Sequence, residues 1–116
     1  MKNRAFQERL SFAWSGLRSA WRSEASLRTH LLMTSLLLAA LLILRPALIW
    51  WALSGVMATL VIAAELINTA LEHLADHLHP EQHPRIKIVK DCAAAAVLML
   101  SAGALWVAVL MVLSVL

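Results

Sequence analysis

Apolar residues run along this chain in three long stretches, and polar residues collect at their ends. His30–Leu44, Pro46–Ala64 and Cys92–Leu116 contain no Asp, Glu, Lys or Arg. A helix rising about 1.5 Å per residue needs about 20 apolar residues to cross the bilayer core. The second and third stretches are long enough. The first is slightly short, and Leu27 with the small residues beside it can extend it. Three membrane spans are predicted, with no separate soluble domain. Ahead of them, residues 4–23 follow a helical period. Phe6, Leu10, Ala13, Trp14, Leu17 and Trp21 share one face, and Glu8, Arg9, Ser15, Arg18, Ser19 and Arg22 lie mostly on the other. A basic amphipathic helix with tryptophans on its apolar side is expected to lie in the plane of the membrane interface.

The breaks between these elements are short. Arg45–Pro46 predicts a tight turn that makes the first two spans an antiparallel hairpin. The second helix is expected to run on beyond the bilayer to about Leu78. His79–Pro84, "HPEQHP", holds two prolines in six residues and reads as the clearest loop. The third span is expected to start near Ile86. Its small-residue stretches, Ala93–Ala96 and Ser101–Ala104, suit close helix contact. The predicted architecture is an all-α membrane protein forming a single domain over 1–116. It comprises an amphipathic surface helix over about 4–23 and spans over about 28–44, 46–78 and 86–116.

Composition agrees. The chain is 61% hydrophobic with a mean hydropathy of +0.75, far from the balance of a soluble domain. No cleavable leader is expected, because the first apolar stretch follows a long charged segment. Cys92 is the single cysteine, so no internal disulfide can form. The basic residues set the orientation. Lys2, Arg4, Arg9, Arg18, Arg22 and Arg28 precede the first span, Arg85, Lys87 and Lys90 precede the third, and only Arg45 lies between the first two. The positive-inside rule puts the N-terminus and the 77–90 loop in the cytoplasm and Arg45 and the C-terminus outside. Trp50 and Trp51 suit the outer interface belt. The net charge of +3 then describes a basic cytoplasmic face, suited to anionic headgroups or a nucleotide. Basic residues at membrane boundaries give no patch for nucleic acid.

The second stretch does not stop where its hydrophobicity does. Glu65, Asn68, Glu72 and Asp76 follow at steps of three, four and four residues, so all four lie on one helix face. They extend over about 16 Å along the axis. An ionisable group at the inner end of a span is costly and points to function. Asp76 and His77 also suit a solvated helix end; Glu65, behind some nineteen apolar residues, does not. A carboxylate at the boundary can take the proton of a lipid hydroxyl. Carboxylates further out can hold Mg²⁺ together with phosphates, and a lysine can neutralise those phosphates. The chain offers Glu24, Glu72 and Lys90, with neither a Walker loop nor protein-kinase motifs.

"AELINTALEHLAD…IKIVKDCAAAAVL" and the N-terminal "AWSGLRSAWRSEASLRTH" resemble the prokaryotic diacylglycerol kinase family, small trimeric membrane enzymes, over about residues 11–110. The resemblance implies ATP-dependent phosphorylation of a lipid hydroxyl with Mg²⁺, in the inner membrane, by a homotrimer whose sites are shared between subunits. It implies Glu65 as catalytic base, with Asn68 orienting it or the phosphate. It implies Glu24 and Glu72 as metal ligands, Lys90, Asp91 and Arg18 as nucleotide contacts, and Arg28 and Asp76 as groups fixing the lipid or the N-terminal helix. The enterobacterial pattern has Tyr-Ser before the first Trp and Lys after it. Here Phe12, Ala13 and Ser15 stand there, and the resemblance carries no nucleotide contact onto them. "LRTH" and "HPRIKIVKD" look closer to the undecaprenol kinase branch. Diacylglycerol is the lead substrate and undecaprenol the runner-up.

Two other readings compete. His73 and His77, at i and i+4, could hold zinc on a helix face. Solvated residues near phosphate or headgroups account for His77, His79 and His83 more simply. A small membrane scaffold or channel subunit would line a pore with these carboxylates. Lys90 and Asp91 together with Glu24 argue instead for groups that converge at the cytoplasmic surface. Trp106 lies mid-span and reads as a packing or lipid-facing residue.

Overall fold

The computed structural model describes residues 3–116, so Lys2 lies outside the described residues. Among them are four α-helices and no strand: α1 (Phe6–Ser23), α2 (Ala25–Leu44), α3 (Leu48–Leu78) and α4 (Pro84–Val115). The last three are long and apolar enough to cross a membrane. The chain is an all-α membrane protein.

The helix boundaries have local causes. Glu24 alone separates α1 from α2. Its backbone is extended (φ −121°, ψ 111°), and its N–H closes α1 onto the Ala20 carbonyl at 2.9 Å. Arg28 reaches back and donates to the Trp21 carbonyl at 3.1 Å, satisfying one of the acceptors left open in the last turn of α1. At the far end of α2, Arg45 takes the left-handed conformation (φ 46°, ψ 57°), and its N–H bonds to the Leu41 carbonyl at 2.9 Å. Pro46 cannot continue the helix, so α3 starts after a turn of three residues. The helix α4 begins at Pro84, two residues before the predicted start. Proline suits the first helical position, where no N–H is needed, and the His83 Nδ1 accepts the Arg85 N–H at 3.1 Å as cap. Only His79–His83 therefore forms the loop.

Packing is thin for one chain. The helix α3 lies chiefly against α4 and secondarily against α2. Gly103 on α4 lets α3 come close: a Cβ there would stand 3.0 Å from the Met57 methyl. Ala94, Ala95 and Ala96 are exposed, so most of the "AAAA" stretch makes no close contact within the chain. The buried apolar set is small: Ala20, Leu27, Leu41, Val61, Ala75, Val97 and Met111. Large apolar side chains, Leu36, Ile43, Leu48, Leu98 and Trp106 among them, face outward. A water-soluble protein rarely exposes apolar surface on that scale, whereas lipid tails solvate it without cost. The tryptophan face of α1 also points away, with Phe6 73% and Trp14 62% exposed. The helix α1 turns its small residues toward α3 instead, through Ala13, Gly16, Ser19, Ala20 and Ser23.

Candidate active site

The stripe of α3 that faces the bundle changes character along its length. Ser54 and Val61 are buried in its outer part, and Glu65 continues the same face one turn further. Glu65 is 3% exposed, and its Oε2 has no hydrogen-bond partner among the described residues. One turn on, the Asn68 Nδ2 donates to the Glu72 Oε1 at 3.4 Å, while the Asn68 Oδ1 is buried without a partner. Thr69 spends its hydroxyl on the Glu65 backbone carbonyl, at 3.0 Å, and leaves the carboxylate free. Burying a polar group unpaired costs roughly 1–3 kcal/mol, more when it is charged. Two such oxygens, one helical turn apart, mark a place where the fold tolerates a cost in return for available acceptors.

The corner between α1 and α2 brings Glu24 to this face. Its Oε1 lies 3.6 Å from the Nε2 of His73, the residue after Glu72. A cleft of about 410 Å³ opens between α1 and α3, lined by Ala13, Gly16, Ser19, Ala20, Ser23, Leu66, Thr69, Ala70 and His73, with Leu17 at its edge. Gly16 has open space where a Cβ would stand, and small side chains keep this wall of the cleft low.

The remaining positions divide. Lys90 on α4 meets Asp76 on α3, Nζ to Oδ1 at 2.5 Å, across the His79–His83 loop. Asp91 pairs with Lys87 at 2.6 Å on one face of α4. Lys87 lies ahead of the apolar stretch that starts at Cys92. Arg28 serves the α1 terminus, as described. Arg18 is not brought to these groups: it lines the groove between α1 and α2 with Trp14, Leu17, Trp21 and Leu31. The histidines do not pair as their spacing suggested. His79 and His83 meet with ring centroids 5.1 Å apart and planes tilted by 55°, while the spacing had singled out His73 with His77. The His73 contact with Glu24 was not foreseen. Its only sequence signal is adjacency to Glu72, which fixes neither the side it faces nor its partner.

Glu24, Glu72 and Asn68 supply oxygen donors of the kind a hard divalent cation takes. The unpartnered Asn68 Oδ1 beside Glu72 and the part-buried Glu24 carboxylate are donors of the kind such an ion takes. One chain does not complete its cage, because no three His, Cys, Asp or Glu side chains converge among the described residues.

Comparison with known proteins gives the context of this arrangement. The sequence model of the prokaryotic diacylglycerol kinase family matches residues 11–112. A diacylglycerol kinase of Synechocystis sp. is 34% identical over 94 residues, 80% of this chain and 54% of that protein. The chain thus spans about half the length of that relative. The undecaprenol kinase of Bacillus subtilis is 32% identical over 98 residues, covering 82% of this chain and 76% of the relative. The diacylglycerol kinase of Escherichia coli K12 is 33% identical over 90 residues, covering 76% and 72%. With the match running from within α1 through the α1–α2 corner and the acidic face of α3 nearly to the end of α4, the chain belongs to the prokaryotic diacylglycerol kinase family, a family of lipid kinases.

Proposed function

We propose that this protein transfers the γ-phosphoryl group of ATP to the hydroxyl of a membrane lipid, with diacylglycerol as substrate and phosphatidic acid as product. The observation that carries the reading is Glu65: a buried carboxylate with a free oxygen, at the level where the apolar part of α3 gives way to its polar part. A lipid hydroxyl sits at that level in a bilayer, and a phosphate donor approaches from the water beyond it.

The chemistry assigns each group a task. The Glu65 Oε2 accepts the hydroxyl proton as the lipid oxygen bonds to the γ-phosphorus. The bond from that phosphorus to the β,γ-bridging oxygen breaks, and ADP leaves. Asn68 orients the base or the incoming phosphate through its Nδ2 amide, which donates, and its free Oδ1 is left to accept from a hydroxyl or to face a cation. Glu24 and Glu72 hold Mg²⁺, which supplies charge neutralisation across the phosphates when bound. Lys90 exchanges Asp76 for phosphate oxygen, and Asp91 contacts the nucleotide. Arg18 reaches the nucleotide only if α1 rotates or a neighbouring copy presents it, which suits a homotrimer with shared sites. Asp76 and Arg28 fix the ends of α3 and α1 around the lipid headgroup. The basic ends and the His79–His83 loop face the cytoplasm, and the Arg45 turn faces outward across the inner membrane.

Undecaprenol is the second reading. It is favoured by the Bacillus subtilis undecaprenol kinase, whose match is as extensive as those of the diacylglycerol kinases. The test is transfer of labelled γ-phosphate in mixed micelles, offering each lipid separately, with wild type and Glu65→Gln, in Mg²⁺ or chelator. Cation-dependent labelling of one lipid, abolished in Glu65→Gln, is the expected outcome and names the substrate. Folded oligomeric protein that labels neither lipid overturns both assignments.

A further inference from the structure

The loop between α3 and α4 fixes two histidines in opposite tautomers. The His79 Nδ1 lies 3.0 Å from the Glu81 carbonyl oxygen. A carbonyl only accepts, so this nitrogen carries the proton and donates. The His83 Nδ1 accepts the Arg85 backbone N–H at 3.1 Å. That nitrogen is therefore bare, and the proton of neutral His83 sits on Nε2. Pro84 has no N–H, so Arg85 presents the first amide of α4 that needs a partner, and the imidazole supplies it as N-cap. Acid treats the two rings differently. Charged His79 keeps its Nδ1–H and its bond. Charged His83 has no lone pair left, loses the cap and sets a positive charge at the positive end of the helix dipole.

We propose that neutral His83 is a positioning residue for the nucleotide: it caps α4 and so holds Lys90 and Asp91 in place, and acid releases them. This rests on the kinase reading above, in which Lys90 and Asp91 meet the nucleotide. The capped turn is linked to both. Its Lys87 N–H bonds to the His83 carbonyl at 2.9 Å, and the Lys87 side chain holds Asp91 at 2.6 Å. Lys90 follows on the same helix. The charged neighbours of His83 come from the loop and the two helices it joins. His79 and Glu81 of the loop and Lys87, Lys90 and Asp91 of α4 line one cleft with it, Arg85 follows it on α4, and Asp76 of α3 is held by Lys90. No residue of α1 or α2 lines that cleft. With Asp91 and Asp76 paired to the lysines, Glu81 is the one carboxylate of this group without an ion pair among the described residues.

The test joins ¹⁵N NMR of the full chain in detergent micelles to steady-state kinetics with Mg-ATP, both from about pH 8 to about pH 5.5, where histidines change charge. At the upper end His79 and His83 should show opposite tautomers. On acidification the Arg85 amide should shift with the same midpoint as the His83 ring. The conservative variant is His83→Asn, because an asparagine oxygen caps a helix and does not titrate. The KM for ATP should rise in wild type by about fivefold more than in His83→Asn, the factor a lost cap is worth. The protonation of ATP itself cancels in that comparison, and kcat should follow one pH profile in both proteins, since they share Glu65. His83→Ala should show the raised KM throughout. A proton on Nδ1 of neutral His83, or an Arg85 amide indifferent to the ring, overturns the proposal. A KM that is already raised in His83→Asn at about pH 8 also overturns it, because the ring would then touch the nucleotide itself. Labelled lipid together with a KM that titrates alike in wild type and His83→Asn sinks the positioning role and leaves the kinase. No labelled lipid from protein whose cap is intact sinks the kinase reading, and the positioning role with it.

Discussion

One helix holds two regions with opposite rules. The outer part of α3, Leu48 to Ala64, buries Ser54 and Val61 against its neighbours and turns Leu48, Ile49, Val56 and Leu60 outward. The inner part, Glu65 to Leu78, keeps the same face toward the bundle but fills it with a carboxylate, an amide and a second carboxylate, two of whose oxygens have no hydrogen-bond partner among the described residues. In the outer region side chains are chosen for packing and for lipid. In the inner region they are held in an arrangement that packing does not favour. The contrast teaches that the carboxylate and amide oxygens buried without a partner lie within about two turns, whereas elsewhere among the described residues only the Ser54 and Ser101 hydroxyls are left so, at a smaller cost.

The contrast breaks most visibly at Glu65. Glu65→Gln keeps the shape and removes the base, so phosphorylation should fall by about 10²–10⁴-fold. Thermal unfolding in detergent should show no loss of stability, since an unpartnered carboxylate disappears. A large loss of stability would mean that Glu65 is structural and that both regions obey one rule. Glu24→Gln and Glu72→Gln come next. Each should lower activity by about 10–100-fold and raise the cation concentration needed for half-maximal rate. A titration that leaves this concentration unchanged would remove the residue from the cation site.

Smaller effects sharpen the boundary. Asp76→Asn removes the partner of Lys90, in a pair whose side chains are 38% and 63% exposed. Stability should shift by no more than about 1 kcal/mol, as for other exposed pairs. The KM for ATP should fall, because Lys90 no longer leaves a carboxylate to reach phosphate; a KM that rises would make Asp76 part of the nucleotide site. In the outer region, Gly103→Ala puts a methyl 3.0 Å from the mobile end of Met57. That side chain can swing aside, so the cost should stay below about 1 kcal/mol and activity should not change. The smallest effect is expected at Arg45, whose left-handed backbone suits glycine. Arg45→Gly should stabilise by a few tenths of a kcal/mol in the same unfolding measurement, roughly the αL penalty less the added chain entropy.

Much of this was legible in the sequence, for reasons specific to each element. The three apolar stretches announce α2, α3 and α4 because bilayer thickness fixes their length. The i, i+3, i+7, i+11 spacing of Glu65, Asn68, Glu72 and Asp76 already fixes one face, because α3 continues without a break. Other features depend on contacts between distant residues. Lys90 and Asp76 meet because two helices descend on either side of a five-residue loop. The outward tryptophan face of α1 was correctly placed on one side, yet periodicity could not tell that its small residues would contact α3. Pro84 looked like a loop residue because proline breaks helices, and it proved to start one, with His83 supplying the cap. Arg18 shares the polar side of α1 in sequence, but the helix rotation set by the Glu24 corner turns it toward α2.

The three-residue turn at Arg45 also bears on how the protein enters its membrane. With α2 and α3 joined so tightly, they can insert together as a helical hairpin, and in the orientation proposed above Arg45 is the one charged side chain of that hairpin that has to cross the hydrocarbon. In that same orientation, Glu65, Glu72 and Asp76 stay on the side where the chain is made, so the machinery that would be hardest to drag through lipid is assembled without being translocated.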